Sequence, residues 1–237
     1  MRKSAFVAVA TSAMLFASIR AGAAVVFSDD YSEAPGTLIA NKPADVGGPY
    51  TVTVPGTAPG PIAVSAANRV DTSGSRRVFS APFAGGETLG PGEVLTFSVN
   101  VATPTLRTGT SFAGFYLLAG TTRSGFFGDV ANDNSYTIAQ NETGTGAFDT
   151  GNTIEPADLV FRYAYDTGAV SLSVNGATLA SGNLTAMRAV TGFEVENNGG
   201  GDINFDNVVI DVVPEPSTLG VLGIGAAALL ARRRARP

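Results

Sequence analysis

Glu194 and Glu196 stand two apart in Gly192-Phe193-Glu194-Val195-Glu196. On a strand, residues two apart point to the same face. This stretch therefore sets two carboxylates side by side. Such a pair is what glycoside hydrolysis needs, one group as nucleophile and one as acid. The other reading is a solvent face opposite buried Phe193 and Val195, since glutamate is usually exposed. That second reading is the expectation, and no residue is assigned a catalytic role.

Metal chemistry has its own candidates. Asp29-Asp30, Asp129 with Asn132-Asp133-Asn134, and Asp202 with Asp206 are oxygen-rich stretches. Calcium takes six to eight oxygens, and loops of this kind supply them. If the first and last strands pair, Asp29 or Asp30 meets Asp206 and a structural calcium site follows. The run from Asp129 to Asn134 lacks the oxygen spacing, glycine and terminal glutamate of an EF-hand. Asp and Asn also favour turns for local reasons, so no cofactor is required and calcium is the one ion the pattern admits.

Sugar binding would need an exposed ring, and tryptophan is absent. The remaining amphipathic rings are Tyr31, Tyr50, Tyr116, Tyr136, Tyr163 and Tyr165. Tyr163 shares a strand face with Phe161, which assigns it to the core. Tyr116 and Tyr136 are the ligand-binding candidates. Arg123 and the pair Arg76-Arg77 are the candidate anion contacts.

Absences narrow the chemistry further. The 237 residues include no Cys and no His. That removes disulfides, thiolate nucleophiles, the commonest general base and the commonest transition-metal ligand. The whole chain carries a net charge of −5. Residues 25–212 hold eight Lys/Arg against nineteen Asp/Glu, so this stretch alone carries −11. Nucleic acid and anionic lipid, themselves negative, are poor partners for it.

The elements that must position these groups read as strands. Leu95, Phe97, Val99 and Val101 alternate with polar residues in Glu93–Val101. Leu159, Phe161 and Tyr163 alternate in Leu159–Tyr165, and Val170, Leu172 and Val174 in Ala169–Asn175. A period of two marks half-buried antiparallel strands. Asn175-Gly176 predicts a type I′ turn leading into Ala177–Ala180. Further strands are expected at Tyr50–Val54, Asn68–Asp71, Arg76–Ser80, Ser111–Leu118, Ser135–Gln140, Val190–Glu196 and Ile203–Asp211. Strands this short, divided by Gly, Pro, Asn and Asp, predict an all-β, antiparallel two-sheet sandwich.

Both ends differ from this body. Arg2 and Lys3, the apolar run Ala5–Ile19 and Ala21-Gly22-Ala23 form a secretion signal with its small-x-small cleavage site. Translocon and signal peptidase are its partners. At the other end, Pro214-Glu215-Pro216 stops the preceding strand, because proline donates no ladder hydrogen bond. Ser217–Ala231 is free of charge, and Arg232, Arg233, Arg234 and Arg236 follow. As a helix those 15 residues span about 22 Å, short of a bilayer core of about 30 Å. Such an anchor suits a segment that is held and then cut off. Terminal arginines resist translocation.

This triplet, short apolar helix and arginine cluster resemble the PEP-CTERM sorting signal of exported bacterial proteins. The resemblance implies an exosortase-type membrane processing enzyme as partner. It implies a protein anchored in passing, then placed at the cell surface or in an extracellular matrix with polysaccharide. The expected domains are a signal peptide at 1–23, the sandwich at 24–212 and the sorting segment at 213–237. The body, with Tyr165-Asp166-Thr167-Gly168 before its hairpin and Phe205-Asp206-Asn207-Val208 near its end, resembles concanavalin-like and laminin-G-like jelly rolls. Glycosidases of that type use Glu-x-Asp-x-x-Glu, from which Glu-Val-Glu-Asn-Asn departs. The expected role is therefore structural or adhesive and non-catalytic. A calcium-assisted carbohydrate-binding module is the alternative, with a glycoside hydrolase behind it.

Overall fold

The computed structural model describes residues 22–53, 62–72, 76–104, 111–131, 135–141, 143–144, 146–151, 156–184, 189–198 and 203–215. Ala21, Pro216, Arg232, Arg233, Arg234 and the two expected terminal helices lie outside them. The described strands are β1 Ala24–Asp29, β2 Thr51–Thr53, β3 Ala63–Val64, β4 Val70–Asp71, β5 Arg77–Pro82, β6 Glu93–Pro104, β7 Phe112–Ala119, β8 Thr122–Asp129, β9 Tyr136–Ala139, β10 Phe148–Asp149, β11 Ala157–Ala164, β12 Ala169–Val174, β13 Ala177–Asn183, β14 Gly192–Asn198 and β15 Ile203–Pro214. One short 3₁₀ turn, Ala84–Gly86, is the helical exception among the described residues.

All the pairings are antiparallel, in two sheets. One runs β13-β12-β11-β6-β15-β4-β3, and the other β10-β9-β8-β7-β14-β5-β2. In the first sheet, β1 and β4 share the edge of β15 opposite β6. Ala24–Asp29 pairs with Val208–Val212, while Val70 and Asp71 pair with Phe205 and Asn204. The first and last strands of the body are thus neighbours, the condition under which Asp29 or Asp30 would approach Asp206.

Alternation does in space what it signals in sequence. Leu95, Phe97, Val99 and Val101 of β6 are buried, as are Leu159, Phe161 and Tyr163 of β11. They face Phe115 and Phe127 of the other sheet. Phe97 meets Phe127 edge-on at 5.0 Å, and Phe127 stacks on Phe161 at 4.8 Å with the rings 3° from parallel. Phe205 contacts both Phe79 and Phe115 across the interface. The two inner faces therefore share one aromatic-rich core, which is a β-sandwich.

The Asn175-Gly176 hairpin forms as read. Both residues have positive φ, 51° and 83°, and Val174 pairs with Ala177 across the turn. The Phe205-Asp206-Asn207-Val208 run also gains a structural reason. Between Asp206 and Val209 the β15 register slips against β6, so Asn207 and Val208 together oppose one partner residue. Asn207 takes φ 53° and donates its N–H to Asp206 Oδ1 at 2.7 Å. A bulge of this kind needs a residue tolerant of the left-handed region, and Asn is one.

Strand β8 is absent from the sequence-based expectation, which lists Arg123 only as a candidate anion contact. Its residues Phe126, Phe127 and Gly128 are buried in succession, and β7 is buried at seven consecutive positions. These strands are covered on both faces. The period of two disappears because the outer face carries its own small cluster of Phe112, Tyr116, Phe126, Val130 and Ala139.

A buried polar network braces the open end of β1. Lys42 donates to Asp29 Oδ1 and Oδ2 at 2.8 and 2.6 Å and pairs with Glu33 at 2.6 Å. Its ammonium lies 5.2 and 5.8 Å from the ring centroids of Tyr31 and Tyr50, whose hydroxyls are joined at 2.6 Å. Tyr31 holds φ 48°, a left-handed conformation, and its N–H is accepted by Asp29 Oδ1 at 3.0 Å. Burial opposes the Lys42 charge, but Asp29 and Glu33 outweigh it and the net shift is upward. Burial and the nearby carboxylates push both tyrosines well above 10.

These shifts fix a direction with pH. Unfolded lysine and tyrosine lose protons from about pH 10 upward, while the folded groups hold theirs. In that range the unfolded state binds fewer protons, so stability falls as pH rises. The expected result is a steep loss of melting temperature above about pH 10, accompanied by late tyrosinate absorbance at 295 nm. Ionisation of Tyr31 or Tyr50, assigned by Phe substitution at each, at the ordinary tyrosine pH with the fold intact would contradict this account.

Candidate functional site

Strands β8 and β14, with Arg76 just ahead of β5, carry the charged groups to one place, the outer face of the sheet containing β14. Glu194 lies between Ser80 of β5 and Tyr116 of β7, and Glu196 between Val78 and Gly114. Glu194 and Glu196 do share a face, as the spacing required. They are not on a bare solvent face: Glu196 is only 1% exposed.

Two arginines distant in sequence meet them. Arg123 donates from Nε to Glu194 Oε1 at 2.7 Å, and its Nη2 contacts both Glu194 Oε1 and Glu196 Oε2. Arg76 donates from Nε and Nη2 to Glu196 Oε1 at 2.5 Å. The result is a chain Glu194–Arg123–Glu196–Arg76. The Arg123 guanidinium also lies 4.1 Å from the centroid of Tyr116, a cation–π contact. Burial pushes the Glu194 carboxyl up, and Arg123 opposes it without cancelling the shift.

This arrangement corrects the ligand-binding expectation for tyrosine. Tyr116 is fully buried beneath Arg123 and against Phe126, with centroids 5.0 Å apart. Tyr136 is 1% exposed and belongs to the core. Neither ring offers a face on which a sugar could stack. The physical reason is that Tyr116 lies in the outer-face cluster while Tyr136 faces the core between the sheets, which the tyrosines' amphipathic character does not reveal.

The acidic cluster near β1 is arranged differently from the expected trio. Carboxylate oxygens of Asp29, Asp30 and Asp45 lie within 4.8 Å of one another, and Asp206 is not among them. Asp206 does approach closely enough to feel the charge of Asp30, while its own pKa is raised chiefly by burial. Both Asp29 oxygens face the Lys42 ammonium, so a cation already neutralises that carboxylate. Asp30 and Asp45 are exposed. Of the oxygen-rich stretches read in the sequence, Asn132, Asp133, Asn134 and Asp202 lie outside the described residues.

A shallow cleft adjoins the charged chain, lined by Ser80, Pro82, Leu118, Gly120, Thr191 and Gly192, with a volume of about 110 Å³. Sites for drug-sized ligands are larger, about 300–1,000 Å³.

At the end of β15 the ladder runs two residues past the expected domain boundary. Pro214 pairs with Glu93, and Glu215 then donates its N–H to Gly92 O at 2.7 Å. In an antiparallel ladder that bond pattern makes Pro214/Glu93 a non-hydrogen-bonded pair. The missing proline N–H points away from β6, toward an edge that β1 has left at Val212. Proline therefore ends this strand without breaking its last rungs.

Residues 212–234 match the PEP-CTERM protein-sorting motif. That motif implies export and recognition by an exosortase, a membrane processing enzyme. The segment Ser217–Ala231 lies outside the described residues, among which no helix is long and apolar enough to cross a membrane. No curated protein matches the chain in sequence. Among solved structures, a sialidase is similar with a TM-score of 0.51 and 8% identity, over 68% of this chain and 16% of the sialidase. The chain thus spans about a sixth of that protein's length. An immunostimulatory antigen and pseudo β-1,3-glucanase of Mycobacterium tuberculosis is similar with a TM-score of 0.50 and 12% identity, over 81% of this chain and 99% of the other. At these identities the likeness is one of fold.

Proposed function

We propose that the body is a non-catalytic, jelly-roll-type sandwich with a structural or adhesive role in the cell envelope or extracellular matrix, delivered there by its PEP-CTERM tail. The observation that carries this reading is the Glu194–Arg123–Glu196–Arg76 chain. A glycosidase needs one carboxyl free to give a proton and one free to attack. Here Arg123 is shared between both carboxylates, and Arg76 takes the remaining oxygen of Glu196. The cluster ties β8 and the start of β5 to β14 on the outer face. The upward shift of Glu194 is the one feature that favours an acid role, and its oxygen is bonded to Arg123.

A calcium-assisted carbohydrate-binding role is the second reading. What favours it is the pair of exposed carboxylates, Asp30 and Asp45, beside Asp29. One experiment separates the possibilities. The exported protein is incubated with the host's extracellular polysaccharide, with calcium and then with chelator. The expected result is no new reducing ends from the wild type or from Glu194→Gln, and partition into the matrix that changes less than about twofold with chelator. Turnover that vanishes in Glu194→Gln would restore the enzyme, and retention abolished by chelator would favour the calcium reading.

A further inference from the structure

The sorting triplet begins inside the fold. Pro214 is buried as the last residue of β15, and Glu215 is half-buried. A tight turn, Gly90–Glu93, grips them. Its Gly92 has φ 74°, which glycine adopts freely. The Gly92 carbonyl accepts the Glu215 N–H at 2.7 Å. The Gly92 N–H is in turn held by Asp166 Oδ2 at 2.9 Å, and the Glu93 carbonyl accepts the Tyr165 N–H at 3.0 Å. Glu93 Oε2 closes the turn by accepting the Gly90 N–H at 2.8 Å. One bond thus holds Glu215 directly, through the Gly92 carbonyl, and three more hold the turn that supplies it.

Position in the sequence makes this consequential. Only Pro216 separates Glu215 from the apolar run that starts at Ser217. An extended residue spans about 3.5 Å, so this end of the sandwich sits against the membrane surface when the tail is inserted. An enzyme that reads an extended triplet needs its backbone, as strand-reading partners generally do. On the β6 side that backbone is occupied by the Gly92 bond. On the open side Pro214 has no N–H to offer.

We propose that the Gly90–Glu93 turn, held by Asp166, gates processing of the tail: the membrane processing enzyme meets this end of the folded body and must open the last β6–β15 rungs to read Pro214 and Glu215. The proposal rests on the sorting reading of the tail. It makes Asp166 a positioning residue, acting through Gly92 on Glu215.

The test follows tail removal by pulse-chase in a host that carries the processing enzyme, using the full-length chain. Asp166→Ala removes the acceptor of the Gly92 N–H from an exposed position. A second variant inserts Gly-Ser-Gly-Ser between Val213 and Pro214 and moves the triplet out of the ladder. Loss of a hydrogen bond to a charged group corresponds to about tenfold in an opening equilibrium. Tail removal is therefore expected to be about tenfold faster in Asp166→Ala and at least as fast in the insertion variant. Hydrogen exchange at the Glu215 amide should be slow in the wild type and faster in Asp166→Ala. Unchanged or slower removal in both variants, with that amide protected in the wild type, overturns the gate and leaves sorting intact. A wild-type chain whose tail is never removed overturns the sorting reading, and the gate with it.

Discussion

Lys42→Met should destabilise the body by about 3–5 kcal/mol, the cost of leaving a buried charge without its partner. Asp29 and Lys42 are 2% and 5% exposed, and Asp29 directs both oxygens at the ammonium. Methionine keeps the apolar stem but removes the charge that Asp29, Glu33 and the two tyrosine rings all face. Against a typical domain stability of about 5–15 kcal/mol the loss is large. For a domain of this size each kcal/mol lowers the melting temperature by about 2–4 °C. A drop of at least about 6 °C is the expected scan result. Asp29→Asn added to Lys42→Met should recover part of it, because the orphaned charge is then gone. A single-variant loss under about 1 kcal/mol in denaturant titration would show that Asp29 finds water or another cation instead.

Phe127→Ala should cost a similar amount, about 3–5 kcal/mol, by a different route. Phe127 comes from β8 and is in ring contact with Phe97, Phe115 and Phe161 at 5.0, 5.1 and 4.8 Å. Two of those partners belong to the opposite sheet, so truncation opens a cavity at the seam between the layers. Rigid strands on both sides limit how far the hole can close. Leu179→Ala is the matched control. Leu179 is 40% exposed on the edge strand β13, and its truncation should change stability by less than about 0.5 kcal/mol. Equal effects at the two positions in equilibrium unfolding would mean that the sheet seam is not the main source of stability.

The depth of Phe127 illustrates why the sheet containing β7 and β8 is harder to read in the sequence than the one containing β6 and β11. Where one face of a strand meets solvent, alternation survives in the sequence, as in β6, β11 and β12. Where both faces are covered, apolar and small residues run together, as in Gly125-Phe126-Phe127-Gly128, and the run carries no period. Tyr116 lies in the outer-face cluster, and Tyr136 in the core between the sheets. Their burial follows from what neighbouring strands bring over them, which no local pattern records.

By itself the sequence determined the class of the body, the Asn175-Gly176 hairpin and the sorting tail. Each of these rests on short-range physics: a period of two, two residues that tolerate positive φ, prolines that stop a strand, and an apolar run closed by arginines. The shared face of Glu194 and Glu196 is of the same kind. Tertiary structure alone decided what those carboxylates do. Arg123 and Arg76 reach them from 71 and 120 residues away in the chain, and Lys42 reaches Asp29 where the chain returns to β1 through the Ser28–Val46 bridge. Charge pairs across such separations are set by strand order, and strand order leaves no mark on the residues it brings together.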